Sequence, residues 1–87
     1  MSYSVRLTRD AARQLASLPE RHRARMLDRL QHLADWPAHG QDVRQLRGEL
    51  EGFYRLRSGG YRALFAVLPD QQVVVVEKVG PRGSVYC

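Results

Sequence analysis

The sequence predicts an α+β domain in which a two-helix hairpin packs on one face of a small, mainly antiparallel sheet of four or five strands, in the order βααβββ. Three observations predict it. Apolar residues recur at helical spacing from Ala11 to Ala34. After Gly52 the chain changes to short runs of strand composition, Phe53 to Arg57, Gly60 to Leu68 and Gln72 to Val79. Turn formers, Ser58-Gly59 and Pro69-Asp70, separate those runs. The 87 residues make one domain, 1–87, with no room for a second.

Taken in order, Tyr3, Val5 and Leu7 alternate with Ser4 and Arg6, the pattern of a short half-buried strand. Thr8 can cap a following helix, and Asp10 falls in its first turn, where the helix dipole favours an anion. Ala11, Ala12, Leu15, Ala16 and Leu18 form its apolar positions. Pro19 breaks this helix or opens the next. From Glu20 to about Asp35, Met26, Leu27, Leu30, Leu33 and Ala34 form a second stripe, opposite Arg21, Arg25, Asp28, Arg29 and His32. WPAHG, Trp36 to Gly40, ends the helical pattern. Val43 to Leu46 is a short strand or an extended lead-in, and Gly48 to Gly52 a loop. Val73 to Val76 is apolar without alternation, which predicts a central strand covered on both faces.

Net charge is +5 and the pI about 10.1. That balance favours an anionic partner without choosing among nucleic acid, ribosome, acidic protein and anionic membrane. The longest apolar run, Val73 to Val76, is far short of a membrane span. The start, MSYSVRLTRD, has no apolar segment of signal-peptide type. Cys87 is the one cysteine, so no disulfide or CxxC metal site is expected, in keeping with a reducing cytoplasm. His22, His32 and His39 are not at metal-ligand spacing, and no metal is expected.

The hairpin YRLRSGGYR, Tyr54 to Arg62, carries three arginines and no acid. Side chains alternate along strands. A Ser58-Gly59 loop would pair Arg55 with Arg62, and a Gly59-Gly60 loop would pair Arg57 with Arg62. Either way Arg55, Arg57 and Arg62 share one face, and Tyr54, Leu56, Tyr61, Ala63, Phe65 and Val67 share the other, which the helices cover. Directly opposed like charges cost up to about 1 kcal/mol. Nearby acids such as Glu49, Glu51 or Glu77 could neutralise them, Glu77 falling opposite Arg62 if Pro69-Asp70 is a two-residue loop. Alternatively the open face is an anion site, since guanidinium binds phosphate through two parallel donors. Phe53, on the same face, could stack a base.

These segments together resemble the RelE/ParE toxin superfamily of bacterial toxin–antitoxin systems. The resemblance rests on Leu46-Arg47-Gly48, the basic hairpin Arg55 to Arg62 ending in Gly-Tyr-Arg, Val79-Gly80-Pro81-Arg82 after the last strand, and Tyr86. Ala11 to Leu15 and Leu18-Pro19 also fit the superfamily's helical hairpin. The resemblance covers nearly the whole chain and implies a RelE-like fold. The arginines with a late arginine and a terminal tyrosine look like the RelE branch, which cleaves messenger RNA in the ribosomal A site without a metal or other cofactor. The ribose 2′-OH attacks the adjacent phosphate, giving a cyclic phosphate and a free 5′-OH.

By that resemblance Arg62 holds the scissile phosphate, Arg55 supports it, Arg82 lies near the leaving group and Tyr86 stacks on or orients the nucleotide. Arg57, Phe53 and Arg47 are implied as substrate-binding. Where RelE-type hairpins place lysines this chain has Phe53 and Arg55, and arginine is a poor general base. Glu77 is the candidate base or ion-pair partner of Arg62, while the same register points Lys78 to the other face. The implied partners are a cognate antitoxin, in a toxin–antitoxin hetero-oligomer, and the ribosome with its messenger RNA, all in the cytoplasm; no membrane is implied. Members of the superfamily differ in carrying a further C-terminal helix. The sequence ends at Cys87 without one, so inhibition is expected from an antitoxin segment wrapping the sheet and helices, its acids over the arginine face. Two other functions fit the superfamily: a ParE-like inhibitor of DNA gyrase, and a module that binds RNA or antitoxin without cleaving.

Overall fold

The structure is a computed structural model that describes residues 2–37 and 42–81. Arg82, Tyr86, Cys87 and His39 lie outside the described residues. Strand β1 (Ser4–Leu7) leads into helices α1 (Arg9–Ala16) and α2 (Glu20–Gln31), the second extended by a 3-10 turn, His32–Asp35. Then follow β2 (Val43–Gln45), a 3-10 turn (Gly48–Leu50), β3 (Phe53–Ser58), β4 (Tyr61–Leu68) and β5 (Val73–Pro81). The strands form one five-stranded sheet in the order β1-β5-β4-β3-β2. β1 runs parallel to β5, and the other pairings are antiparallel. The α+β class, the helix pair and the hairpin expected from the sequence are all present.

Thr8 joins the helices to the sheet. Its hydroxyl accepts the Ala11 N–H at 3.1 Å, capping α1, and donates to the Glu77 carbonyl at 3.2 Å. Its own N–H donates to the Val76 carbonyl at 3.0 Å. β1 ends at Leu7, which leaves the outer edge of β5 unpaired further along. There α1 takes over, with Gln14 Oε1 accepting the Val79 N–H at 2.8 Å. Pro19, at the N-cap of α2, ends one helix and opens the other without a side-chain cap.

Ala11, Leu15 and Leu18 from the first helical segment, with Met26, Leu30 and Leu33 from the second, meet Leu56, Ala63, Phe65, Val74, Val76 and Val79 from the sheet. Phe65 anchors an aromatic group, its ring centroid 5.5 Å from Tyr54 and 5.6 Å from Trp36. His22, one turn before Met26, packs its ring on Tyr61 with centroids 4.8 Å apart. The stripes are narrower than expected. Ala12 and Ala16 are exposed, and Leu27 is 41% exposed on the outer side of α2.

The turns correct two expectations. The hairpin turns on Gly59-Gly60, so Arg57 pairs with Arg62 and Ser58 with Tyr61. Gly59 has φ +61, a left-handed conformation that a side chain would strain. Between β4 and β5 the loop is Pro69–Gln72, not two residues, since Leu68 pairs with Val73. The register then slips between Leu64, opposite Lys78, and Phe65, opposite Val76, leaving Glu77 in a β-bulge. Glu77 is therefore not opposite Arg62; Gly80 is. The bulge keeps Val74, Val76 and Val79 all in the core. It also turns Lys78 onto the face of its partner Leu64, which is the arginine face, opposite to the sequence expectation. β5 is central as expected, but its second face has no helical layer, so Val73 and Val75 are half-buried while Val74 and Val76 are sealed.

Phe65→Ala should cost about 3–5 kcal/mol, because the fully buried ring holds Trp36 and Tyr54 and leaves a cavity. Urea denaturation checks this, and an unchanged midpoint would mean the core is organised around other residues.

Candidate anion-binding face

Two rows of side chains cross the open side of the sheet. In one, Arg44 is opposite Arg55, Arg55 opposite Leu64, and Leu64 opposite Lys78. In the next, Arg57 is opposite Arg62 and Arg62 opposite Gly80. The Asp42 carbonyl accepts the Arg57 N–H at 3.0 Å, so Asp42 heads this second row. Phe53, opposite Ala66, sits on the same face at the end away from the turn. Arg55, Arg57 and Arg62 are brought together as expected, and Phe53 joins the same surface. Arg47 is exposed beyond the end of β2, at the entrance to the 3-10 turn, and so borders the face rather than joining its rows.

The arginines differ in exposure. Arg55 is 6% exposed, a charge almost withdrawn from solvent, and its Nε is buried with no hydrogen-bond partner. Arg62 is half-buried and the Arg57 side chain is 44% exposed. Arg57, Gly59, Gly60 and Arg62 line a depression of about 200 Å³. A Cβ on Gly60 would meet nothing within 4 Å, so its mouth is open. Two arginines paired across adjacent strands and lining one depression are a residue set suited to an oxyanion of phosphate size.

The carboxylate that meets Arg55 and Arg57 is Asp42. Its Oδ1 lies 3.6 Å from Arg55 Nη2 and its Oδ2 3.5 Å from Arg57 Nε. Glu49 and Glu51 are exposed in and just after the 3-10 turn. Asp42, Arg44 and Lys78 are the members of this face that sequence reasoning missed. Reading Val43 to Leu46 firmly as a strand paired with β3 would have put Asp42 and Arg44 on the arginine face by parity. Lys78 was hidden by the bulge, which a two-residue turn model does not contain.

Fold and face define a small basic α+β protein with helices on one side of a sheet and an arginine-rich surface on the other. A protein-family model described as the ParE toxin of the type II toxin–antitoxin system, parDE, matches residues 5–86, and the chain belongs to that family. It is similar to toxin RelG of Mycobacterium tuberculosis, 33% identical over 89 residues that cover 99% of this chain and 98% of that one. The M. tuberculosis RelBE2 toxin–antitoxin complex contains a chain that superposes with a TM-score of 0.83 at 32% identity, covering 94% of this chain and all of that one. An archaeal RelE–RelB complex from Pyrococcus horikoshii gives 0.80 at 32% identity, covering 98% and 100%. The RelE/ParE superfamily expected from the motifs is thereby shown, and the protein is a toxin of the type II toxin–antitoxin class. Among the described residues no helix is long and apolar enough to cross a membrane.

Arg55→Met should leave stability unchanged or raise it by about 1 kcal/mol, since it removes a buried charge, an unpaired donor and the repulsion with Arg44 at little loss of volume. Chemical denaturation of the two proteins is the check. A fall of several kcal/mol would make Arg55 a keystone of the fold.

Proposed function

We propose that this toxin is a ribosome-dependent endoribonuclease that cleaves messenger RNA in the A site and blocks translation, acting in the cytoplasm without a metal or other cofactor. The observation that carries the reading is the row Arg57–Arg62 beside buried Arg55, around an open depression. Opposed arginines can serve an acidic protein partner as well as a phosphate, but the phosphate gains more from them as the reaction proceeds. A phosphorane, which gains charge in the transition state, would be stabilised by them more than the ground state is. The family model carries the ParE name, and gyrase inhibition is the second reading. The two-sided guanidinium depression and the RelE names of the similar proteins favour RNA.

In this reading the 2′-hydroxyl gives up its proton as its oxygen attacks phosphorus, the P–O5′ bond breaks, the leaving O5′ takes up a proton from water or the site, and Arg62 with Arg57 and Arg55 carries the added charge. The ribosome orders the substrate, which lowers the demand on the toxin's own acid–base groups. Phe53 offers a ring to stack a base and Arg47 a peripheral phosphate contact. Arg82 near the leaving oxygen and Tyr86 against the nucleotide are carried over from the superfamily pattern. The proton acceptor is reassigned from Glu77 to Lys78, the chain's one lysine, because Lys78 shares the arginine face and, unlike arginine, can shed a proton.

The RelE proteins of the M. tuberculosis and P. horikoshii structures are held in toxin–antitoxin complexes. A cognate antitoxin presenting acids to the arginine face would silence this chain in the same way, in a hetero-oligomer.

Induction of the chain alone, with mapping of messenger RNA 5′ ends, tests the reading. Codon-periodic cuts within translated frames are expected. Growth arrest with intact messages would transfer the function to gyrase. Arg62→Ala should slow cleavage about 100-fold or more and leave the thermal midpoint unchanged or raised, because the Arg57–Arg62 repulsion goes with it. Lys78→Met should slow single-turnover cleavage about 100-fold while ribosome binding is retained; a wild-type rate would remove Lys78 from the chemistry.

A further inference from the structure

We propose that Asp42 is a positioning residue of the arginine face, one that sets how Arg57 meets a phosphate and holds buried Arg55 in place beside it. The inference rests on the reading of that face as the RNA-cleaving site. Asp42 precedes β2 and is locked to β3 by the Arg57 N–H on its carbonyl, 3.0 Å, one rung beyond the pairing of Val43 with Leu56. Its carboxylate is thereby fixed between two guanidinium groups, Oδ1 toward Arg55 Nη2 and Oδ2 toward Arg57 Nε.

The choice of nitrogens matters. Arg57 faces Asp42 through Nε, so the pair of terminal nitrogens stays available to a phosphate in its bidentate mode. Arg55 is engaged through one terminal nitrogen while its Nε is buried without a partner. A guanidinium that deep, beside Arg44 and Arg57, stays in place because a carboxylate compensates it there. At 3.5 and 3.6 Å both contacts are longer than good hydrogen bonds, so they orient the arginines electrostatically and can yield when a phosphate arrives. The carboxylate also repels phosphate from the Arg55 end of the face, which directs it to the depression between Arg57 and Arg62. Asp42 itself is half exposed, so its pair with the exposed Arg57 adds little to stability, while its pair with Arg55 compensates a buried charge.

The test compares the full-length chain with Asp42→Asn, which keeps shape and removes charge. Single-turnover cleavage on programmed ribosomes should slow about ten- to a hundredfold. Affinity for a non-cleavable 2′-deoxy oligonucleotide should be equal or tighter, because a negative charge has left the face, while the thermal midpoint falls because buried Arg55 loses its carboxylate. The 15N-resolved Nε–H resonance of Arg57 should shift and exchange faster with water. In an Arg57→Ala background Asp42→Asn should have little further effect on rate. A wild-type rate, additive losses in the double variant, or an unmoved Arg57 Nε–H would each overturn the proposal. So would loss of one limb of the pH–rate profile in Asp42→Asn, which would make Asp42 the proton acceptor. If the wild-type chain makes no cuts, the ribonuclease reading fails, and the Nε–H resonance and oligonucleotide affinity still decide for or against Asp42.

Discussion

Leu56, Ala63 and Phe65 must all be sealed under the helices for a core of this size to form, and each is fully buried. A strand that points these residues inward has no choice about their neighbours. Arg55, Arg57 and Arg62 are sent together to the other side. The concentration of charge on the open face is thus tied by parity to the composition of the core. Neither can be shifted by one residue without exposing Phe65 and burying the arginines. The bulge at Glu77 follows from the same demand on β5. Val74 and Val76 fill the core beside α1, and the strand must gain a residue before Val79 can return to it. That extra residue delivers Lys78 to the arginine face.

The face works against the fold that carries it. Arg57 is set opposite Arg62 and Arg44 opposite Arg55, pairs that destabilise a sheet by tenths of a kcal/mol up to about 1 kcal/mol each. Burial of Arg55 adds a desolvation cost that an ion pair at 3.6 Å repays only in part. Domains of this size have margins of about 5–15 kcal/mol, so such costs are a noticeable fraction. They are offset by the aromatic packing of Trp36, Tyr54 and Phe65 and by the ties from Thr8 and Gln14 to β5. Strain held at a surface that has not yet met its ligand is what a preorganised anion site looks like: the repulsion is relieved when an anion binds, and any phosphate or acidic peptide gains by that relief.

The architecture and the membership of the arginine face were legible because they depend on periodicity alone. Two possible turns gave the same parity, so leaving Ser58-Gly59 and Gly59-Gly60 both open did not misplace Arg55, Arg57 or Arg62. The second hairpin was less forgiving. There the four-residue turn and the bulge each change the register, and the sequence QQVVVVEKVG gives no local mark of where a run of valines slips against its partner. Hence Gly80 takes the place opposite Arg62 expected for Glu77, and Lys78 falls opposite Leu64, in the row beside it. Asp42 went unseen for a different reason. A three-residue strand after a Pro- and Gly-containing segment carries too little pattern to fix its pairing, and without the pairing the acid has no address. The degree of Arg55 burial is a tertiary property, set by Leu64 and by neighbours across three strands, that no window of sequence contains.

Gly80 in the place expected for Glu77 alters the chemical character of the face. With Glu77 opposite Arg62, the row would close on itself as an ion pair, and an incoming phosphate would have to displace a carboxylate bound at short range. With Gly80 there instead, the residue opposite Arg62 on β5 carries no carboxylate, and Asp42, which meets Arg55 and Arg57, sits two strands away beyond Arg57. Along the row a carboxylate, Asp42, stands at one end and Arg57 and Arg62 follow, with Lys78 in the adjacent row. An anion sliding across the sheet is drawn toward the Arg57–Arg62 depression and away from β2. Such a polarity orients a chain of phosphates as well as binding one, because successive phosphates of a single strand would run with it or against it. A symmetric cluster of arginines would bind as tightly and orient nothing.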